Sequence, residues 1–230
     1  MYSVHERTHP RMSANKLGEY LTASPVRRRR IVKDQKHPPE FQVARYTEAQ
    51  SAIAEFLVSG RTDDAILFRV LDRLQAASAR SGWDAQRIQD CSQAIEAFMD
   101  FPEMALLHRM NAVQGDPNPP QLNIADVRIS VRPEIILHGS DRLGSPTVGA
   151  VKLYIGKSNP LTDESGLYVA TILHQFVSEY CSESGKVDLQ ACAVFDVFGR
   201  RFYVAPRSFI RRRHDIEAAC EEIARAWPAF

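Results

Sequence analysis

Apolar residues recur along this chain with two different periods. In roughly the first hundred residues the spacing is three and four, the mark of helices with one buried stripe. Ser13 is a good N-cap, and a helix is expected from there through Leu17, Tyr20 and Leu21. Pro25 interrupts it, and a basic helical stretch runs on to about Lys36. Pro38-Pro39 then forces an extended or turned segment. Ala49, Ile53, Phe56 and Leu57 predict a helix from Thr47 to Val58, stopped by Ser59-Gly60. Another opens at Asp63, with Ile66, Leu67, Val70, Leu71 and Leu74 on one face, and Ser81-Gly82 follows it. A third runs from about Asp84 with Ile88, Cys91, Ile95, Phe98 and Met99 inward. Pro102 fits the first turn of a short helix over Glu103 to Asn111.

The second half changes period. Residues 114–121 read as a loop, rich in Pro with Gly and Asp among them. Val127 to Pro133 alternates apolar and polar, as a half-buried strand does, and continues into Ile135-Ile136-Leu137. Gly139 to Pro146 is a turn-rich connection, and Val148 to Ile155 is the returning strand of a hairpin. A helix is expected from about Glu164 to Cys181, with Val169, Leu173, Phe176, Val177 and Tyr180 as its apolar stripe. Thr171, His174, Gln175 and Ser178 lie off that stripe. Ala191 to Val197 and Phe202 to Val204 are strand-like runs, and Ile216, Ala219, Cys220, Ile223 and Trp227 face one side of a last helix. The order predicts an α+β (mixed α/β) fold: a small central mixed sheet flanked by helices and preceded by a helical lobe. The expected division is a mobile tail over 1–11, a helical lobe over 12–112 and an α/β core over 113–230, in one compact unit.

Composition narrows the class without choosing a function. The 230 residues are 44% hydrophobic and 25% charged, as in globular proteins that bury a core without disulfides. No apolar run approaches the length of a membrane span, and the first residues lack the apolar stretch of a signal peptide. A cytoplasmic protein is therefore expected. Cys91, Cys181, Cys192 and Cys220 are widely spaced, which predicts four buried thiols rather than a zinc site. No Walker loop, nucleophile elbow, dinucleotide glycine fingerprint or H-E-x-x-H is present.

Charge is uneven although the net is only +1. Residues 1–48 carry 10 Lys/Arg against 5 Asp/Glu, whereas residues 49–110 carry 6 against 9. Arg27, Arg28, Arg29 and Arg30 form one cationic cluster, and Arg211, Arg212 and Arg213 another. Clustered cations on a near-neutral protein point to an anionic partner, nucleic acid first, gripped by its phosphates without sequence reading. Three cations in the first turn of a helix oppose the helix dipole, and a bound phosphate would relieve that.

Pro133-Glu134 closes one strand and Lys152 sits inside the next. A carboxylate on one strand can hold Mg²⁺ while a lysine on its neighbour stabilises developing charge or orients water. This arrangement resembles the PD-(D/E)XK nuclease superfamily, whose core runs helix-strand-strand-strand-helix-strand. Ser13, Leu17, Tyr20 and Pro25 are similar to the opening of RecB-type members, and Gln175 and Tyr180 to residues on the helix after the lysine strand. The resemblance covers residues 13–25 and 127–181. It implies a Mg²⁺-dependent phosphodiester hydrolase with Glu134 on the metal and Lys152 beside it. The family's second acid is missing, because the triplet reads Ala150-Val151-Lys152. Glu164, at the start of the following helix, is the first candidate to replace it as metal ligand, with Asp163 and Asp196 behind it. Ser24 stands where some members place an iron–sulfur cysteine, so no cluster is expected. His174 is a candidate proton shuttle or substrate contact. The alternative is a non-cutting interaction subunit on the same scaffold, bound to nucleic acid or to a protein partner, which Ala150 explains directly.

Overall fold

The computed structural model describes residues 6–38, 45–100 and 110–230. The chain is α+β, with two mixed sheets and helices on both sides. β1 (Arg11–Ser13), β3 (Leu122–Ile124) and β4 (Val127–Ser130) form a three-stranded sheet in the order β1-β4-β3. β2 (Asn111–Gln114), β5 (Ile135–Ser140), β6 (Pro146–Tyr154), β7 (Lys186–Asp196) and β8 (Arg201–Val204) form a five-stranded sheet in the order β2-β5-β6-β7-β8. β6 and β7 are parallel, and every other neighbouring pair in that sheet is antiparallel. Parallel neighbours need a crossover, and α6 (Asp163–Tyr180) supplies it.

Alternation along the strands separates two cores. Val148 and Ala150 of β6 and Cys192 and Val194 of β7 face one cluster, while Val151, Leu153, Ala193 and Phe195 face the other. The first cluster is closed by α1 (Ala14–Thr22), α6, α7 (Phe209–Ala226) and the inner face of the small sheet. The second is closed by α3 (Thr47–Val58), α4 (Ala65–Ala76) and α5 (Gly82–Met99). Ser13 caps α1 by accepting from Lys16 N–H, and Thr162 with Ser165 forms a capping box on α6. α2 (Pro25–Lys36) has Ser24 as its cap and Pro25 in its first turn.

Several expectations are corrected here. The helices of the first half do not form one lobe: α1 and α2 join the first cluster, and α3 to α5 cover the opposite face. Residues 6–11 are not a loose tail, because Arg7 N–H donates to Lys36 O and Arg11 pairs in β1. The run from Val127 to Leu137 is two strands in different sheets. Pro133 offers no N–H for a ladder, and the chain passes from one sheet to the other there. Residues 111–114 pair as β2. Residues 101–109, which carry most of the short helix expected after Pro102, lie outside the described residues, as do 1–5 of the tail. Three of the four cysteines are buried, and Cys181 is half-buried at the end of α6.

Candidate functional site

Glu134 is positioned by the start of β5. Its N–H donates to Val151 O at 2.9 Å, so it extends the β5–β6 ladder one residue beyond Ile135. Opposite it on β6 stands Lys152. On its other side Gly115 N–H donates to Glu134 O at 2.9 Å, just past the end of β2. Gly115 is required at this crossing: a Cβ there would lie 2.1 Å from Pro133 O. Glu134 and Lys152 thus line one cleft of about 390 Å³, with Gln50 and Ser51 of α3, Asp116 after β2, and Arg132.

The chemistry of the pair is set by burial. Lys152 is only 7% exposed, and its Nζ donates to Arg132 O at 3.1 Å rather than to Glu134. Glu134 Oε2 accepts from Leu153 N–H at 2.6 Å, satisfying a β6 donor that β5 no longer reaches. Burial pushes the Glu134 carboxyl above its usual range, and Lys152 and that N–H only partly oppose the shift. Ala150, where the family resemblance expects the second acid, is fully buried under the first cluster.

The three acids considered as replacements lie elsewhere. Glu164 is exposed on the first turn of α6 and does not line this cleft. Asp163 pairs with Arg201 at 2.9 Å beside a second, shallower depression near β8. Asp196 is fully buried and accepts from Leu161 N–H and Gly199 N–H at 2.7 and 2.9 Å, so it organises two loops. Among the described residues no group of three or more His, Cys, Asp or Glu side chains could hold a metal ion. With Glu134 Oε2 tied to a backbone donor and Asp116 the one other carboxylate lining the cleft among the described residues, the donor set does not fit a resident magnesium ion.

The accessory candidates all lie on α6. His174 is buried rather than off to the solvent side, because α6 is covered by the sheet on one side and by α1 and α7 on the other. Its ring packs at 4.7 Å from that of Phe209, and its Nδ1 lies 3.3 Å from Arg213 Nη2. Burial, with Arg213 adding to it, holds the imidazole down to about 4, so it is neutral at physiological pH. Gln175 donates to Glu179, and Tyr180 donates to Gln121 O at 2.9 Å.

The two arginine clusters divide into structural and exposed members. Arg27 pairs with Glu19 through its Nε at 2.7 Å. Arg28 donates to the carbonyls of Tyr20, Leu21 and Ala23 and lies over the Tyr20 ring, so it closes the end of α1. Arg29 is exposed, and Arg30 reaches Asp34 at 3.8 Å. Arg211 is exposed, while Arg212 and Arg213 lie over the rings of Tyr168 and Phe209. Their Nε atoms are buried without a hydrogen-bond partner among the described residues. The clusters sit at different ends of α7, since Arg28 meets Glu222 while Arg211–Arg213 occupy its first turns.

The residues that sequence reasoning missed at the cleft are Gln50, Ser51, Asp116 and Arg132. None stands within a motif, and packing of α3 and of the chain after β2 brings them in. No helix among the described residues is long and apolar enough to cross a membrane. In comparisons with protein-family models and with curated proteins, the sequence matches none.

Proposed function

We propose that this chain is a nucleic-acid-binding protein on a scaffold similar to the PD-(D/E)XK nucleases, and that it binds without cutting. The observation that carries the reading is the cleft. Its Glu134 and Lys152 come from neighbouring strands, as in that family, while the position of the missing acid is a core alanine. The succession α5, β2, β5, β6, α6, β7, with β3 and β4 diverted into the small sheet, matches the helix-strand-strand-strand-helix-strand order. A fold of this kind hosts both cutting and binding proteins, so the donor set decides between them. Exposed Arg29 and Arg211, which form no ion pair among the described residues, favour an anionic polymer as partner.

The test is a panel of single- and double-stranded DNA and RNA, with Mg²⁺ or Mn²⁺ at low salt, incubated with the protein and with Lys152→Ala. Binding that weakens steeply with salt, and no cleavage, is expected. Metal-dependent cleavage that vanishes in Lys152→Ala would overturn the non-cutting reading.

A further inference from the structure

The outer face of the three-stranded sheet carries arginines that form no ion pair among the described residues. β1 and β4 run parallel and in register, so Arg11 stands beside Arg128 while the next pair, Met12 and Ile129, is fully buried. Alternation along β4 and just beyond it turns Arg128, Ser130 and Arg132 outward and sends Val127, Ile129, Val131 and Pro133 inward. Arg128 and Arg132 are exposed and Arg11 is half-buried. Among the described residues none of these three guanidinium groups forms an ion pair or a hydrogen bond. Of the acids nearest in sequence, Glu6 pairs with Lys36, Asp126 forms no ion pair with any of the three, and Glu134 feels the charge of Arg132 without forming an ion pair with it. Like charges directly opposite on neighbouring strands repel, so an anion between Arg11 and Arg128 would relieve the face.

We infer that this face is where the protein grips the phosphate backbone of a B-form DNA duplex, with Arg11 and Arg128 on one phosphate and Arg132 on another. The inference rests on the nucleic-acid-binding reading above and names the surface and the partner's form. Extended backbone rising about 3.3 Å per residue puts the α-carbons of Arg128 and Arg132 at most roughly 13 Å apart. That is close to the roughly 12 Å major groove of B-DNA, whereas the A-form RNA major groove is narrow. The face presents Arg, Ser and Asn123 but no aromatic ring, so it offers nothing for the unstacked bases of a single strand. Arg132 also lines the Glu134–Lys152 cleft, so a duplex lying on this face would reach the cleft's mouth.

The experiment is fluorescence anisotropy of a short labelled DNA duplex across a salt series, with duplex RNA and single-stranded DNA as further arms. The wild type is compared with the triple variant Arg11→Ala/Arg128→Ala/Arg132→Ala, with Arg128→Glu, and with Arg69→Ala, an exposed position on α4, as control. Far-ultraviolet circular dichroism checks that each is folded. Each phosphate contact contributes about 0.9 to the slope of log K against log salt, so the triple variant should flatten it by about 1.8. Affinity for duplex DNA should fall at least tenfold in the triple variant and in Arg128→Glu, and hold in Arg69→Ala. A folded triple variant with unchanged affinity and slope overturns this surface and leaves the binding reading intact. Tighter binding of single strands or of RNA overturns the B-form duplex assignment. A wild type that binds no nucleic acid at low salt overturns both.

Discussion

Replacing His174 by Gln separates a structural imidazole from a working one. In the folded chain this ring is 7% exposed, rests against Phe209 and faces the Arg213 guanidinium, with Glu179 near that arginine. Its ordinary value of 6.5 is lowered to about 4. A depressed folded value means the unfolded chain takes up the proton first. The contribution is therefore fully present above about 6.5 and is lost as pH falls toward 4. By pH 4.5 the loss works out at about 2–3 kcal/mol for this one ring. For a chain of this length that corresponds to roughly 5–10 °C of melting temperature. Gln can still accept from Arg213 but cannot titrate. Thermal melts of wild type and His174→Gln at pH 7.5 and pH 4.5 read the difference, and carboxylates elsewhere titrate alike in both proteins and cancel. The wild type should lose the extra 5–10 °C on acidification. Parallel losses in the two proteins would refute the reasoning and return His174 to the list of groups that exchange protons near neutrality.

Other perturbations follow from single contacts. Arg28→Ala removes three hydrogen bonds to the carbonyls that end α1 and should cost about 1.5–3 kcal/mol in urea denaturation, whereas exposed Arg29→Ala should stay within about 0.5 kcal/mol. Glu134→Ala leaves Leu153 N–H without its acceptor and should cost about 1–3 kcal/mol, while Glu134→Gln, which keeps an acceptor oxygen, should lose less; equal losses would mean the carboxylate has no structural role. Gly115→Ala drives a methyl into Pro133 O and should lower the melting temperature clearly, by the few degrees that about 1–3 kcal/mol produces.

Local signals carried much of the helical architecture. Thr47–Val58 is a helix over the residues that periodicity marks, α1 starts at the cap that Ser13 offers, and α6 begins at Asp163, one residue before the expected Glu164. What was not legible depends on distant partners. β1 is three residues long, with no alternation to notice, and exists because β4 lies alongside it more than a hundred residues later. β7 begins at Lys186, five residues before its apolar run, because its early residues pair with the start of β6. The Glu134–Lys152 juxtaposition was readable, since two strands and a short turn fix it. The burial of His174 was not, because a helical stripe cannot show that three elements will cover one helix. Arg11, Arg128 and Arg132 are scattered in sequence and gather only when the small sheet forms, so the eye falls instead on contiguous Arg27–Arg30, half of which is committed to α1.

The two extremities of the described chain are stitched together, and that orders events in time. Trp227 donates its indole N–H to Arg7 O, Lys36 Nζ reaches Trp227 O, and His37 lies 3.2 Å from Phe230 O. β1 likewise waits for β4. During synthesis α3, α4 and α5 can meet as soon as they emerge, since their contacts are local. The first cluster can be sealed only when α7 and the residues after it have left the ribosome. Until then Leu17, Tyr20, Ile31 and Val32 have no complete cover. The slow step of folding should therefore be closure of this seam, and the nascent chain should rely on chaperone shielding of its first two helices until the last one arrives.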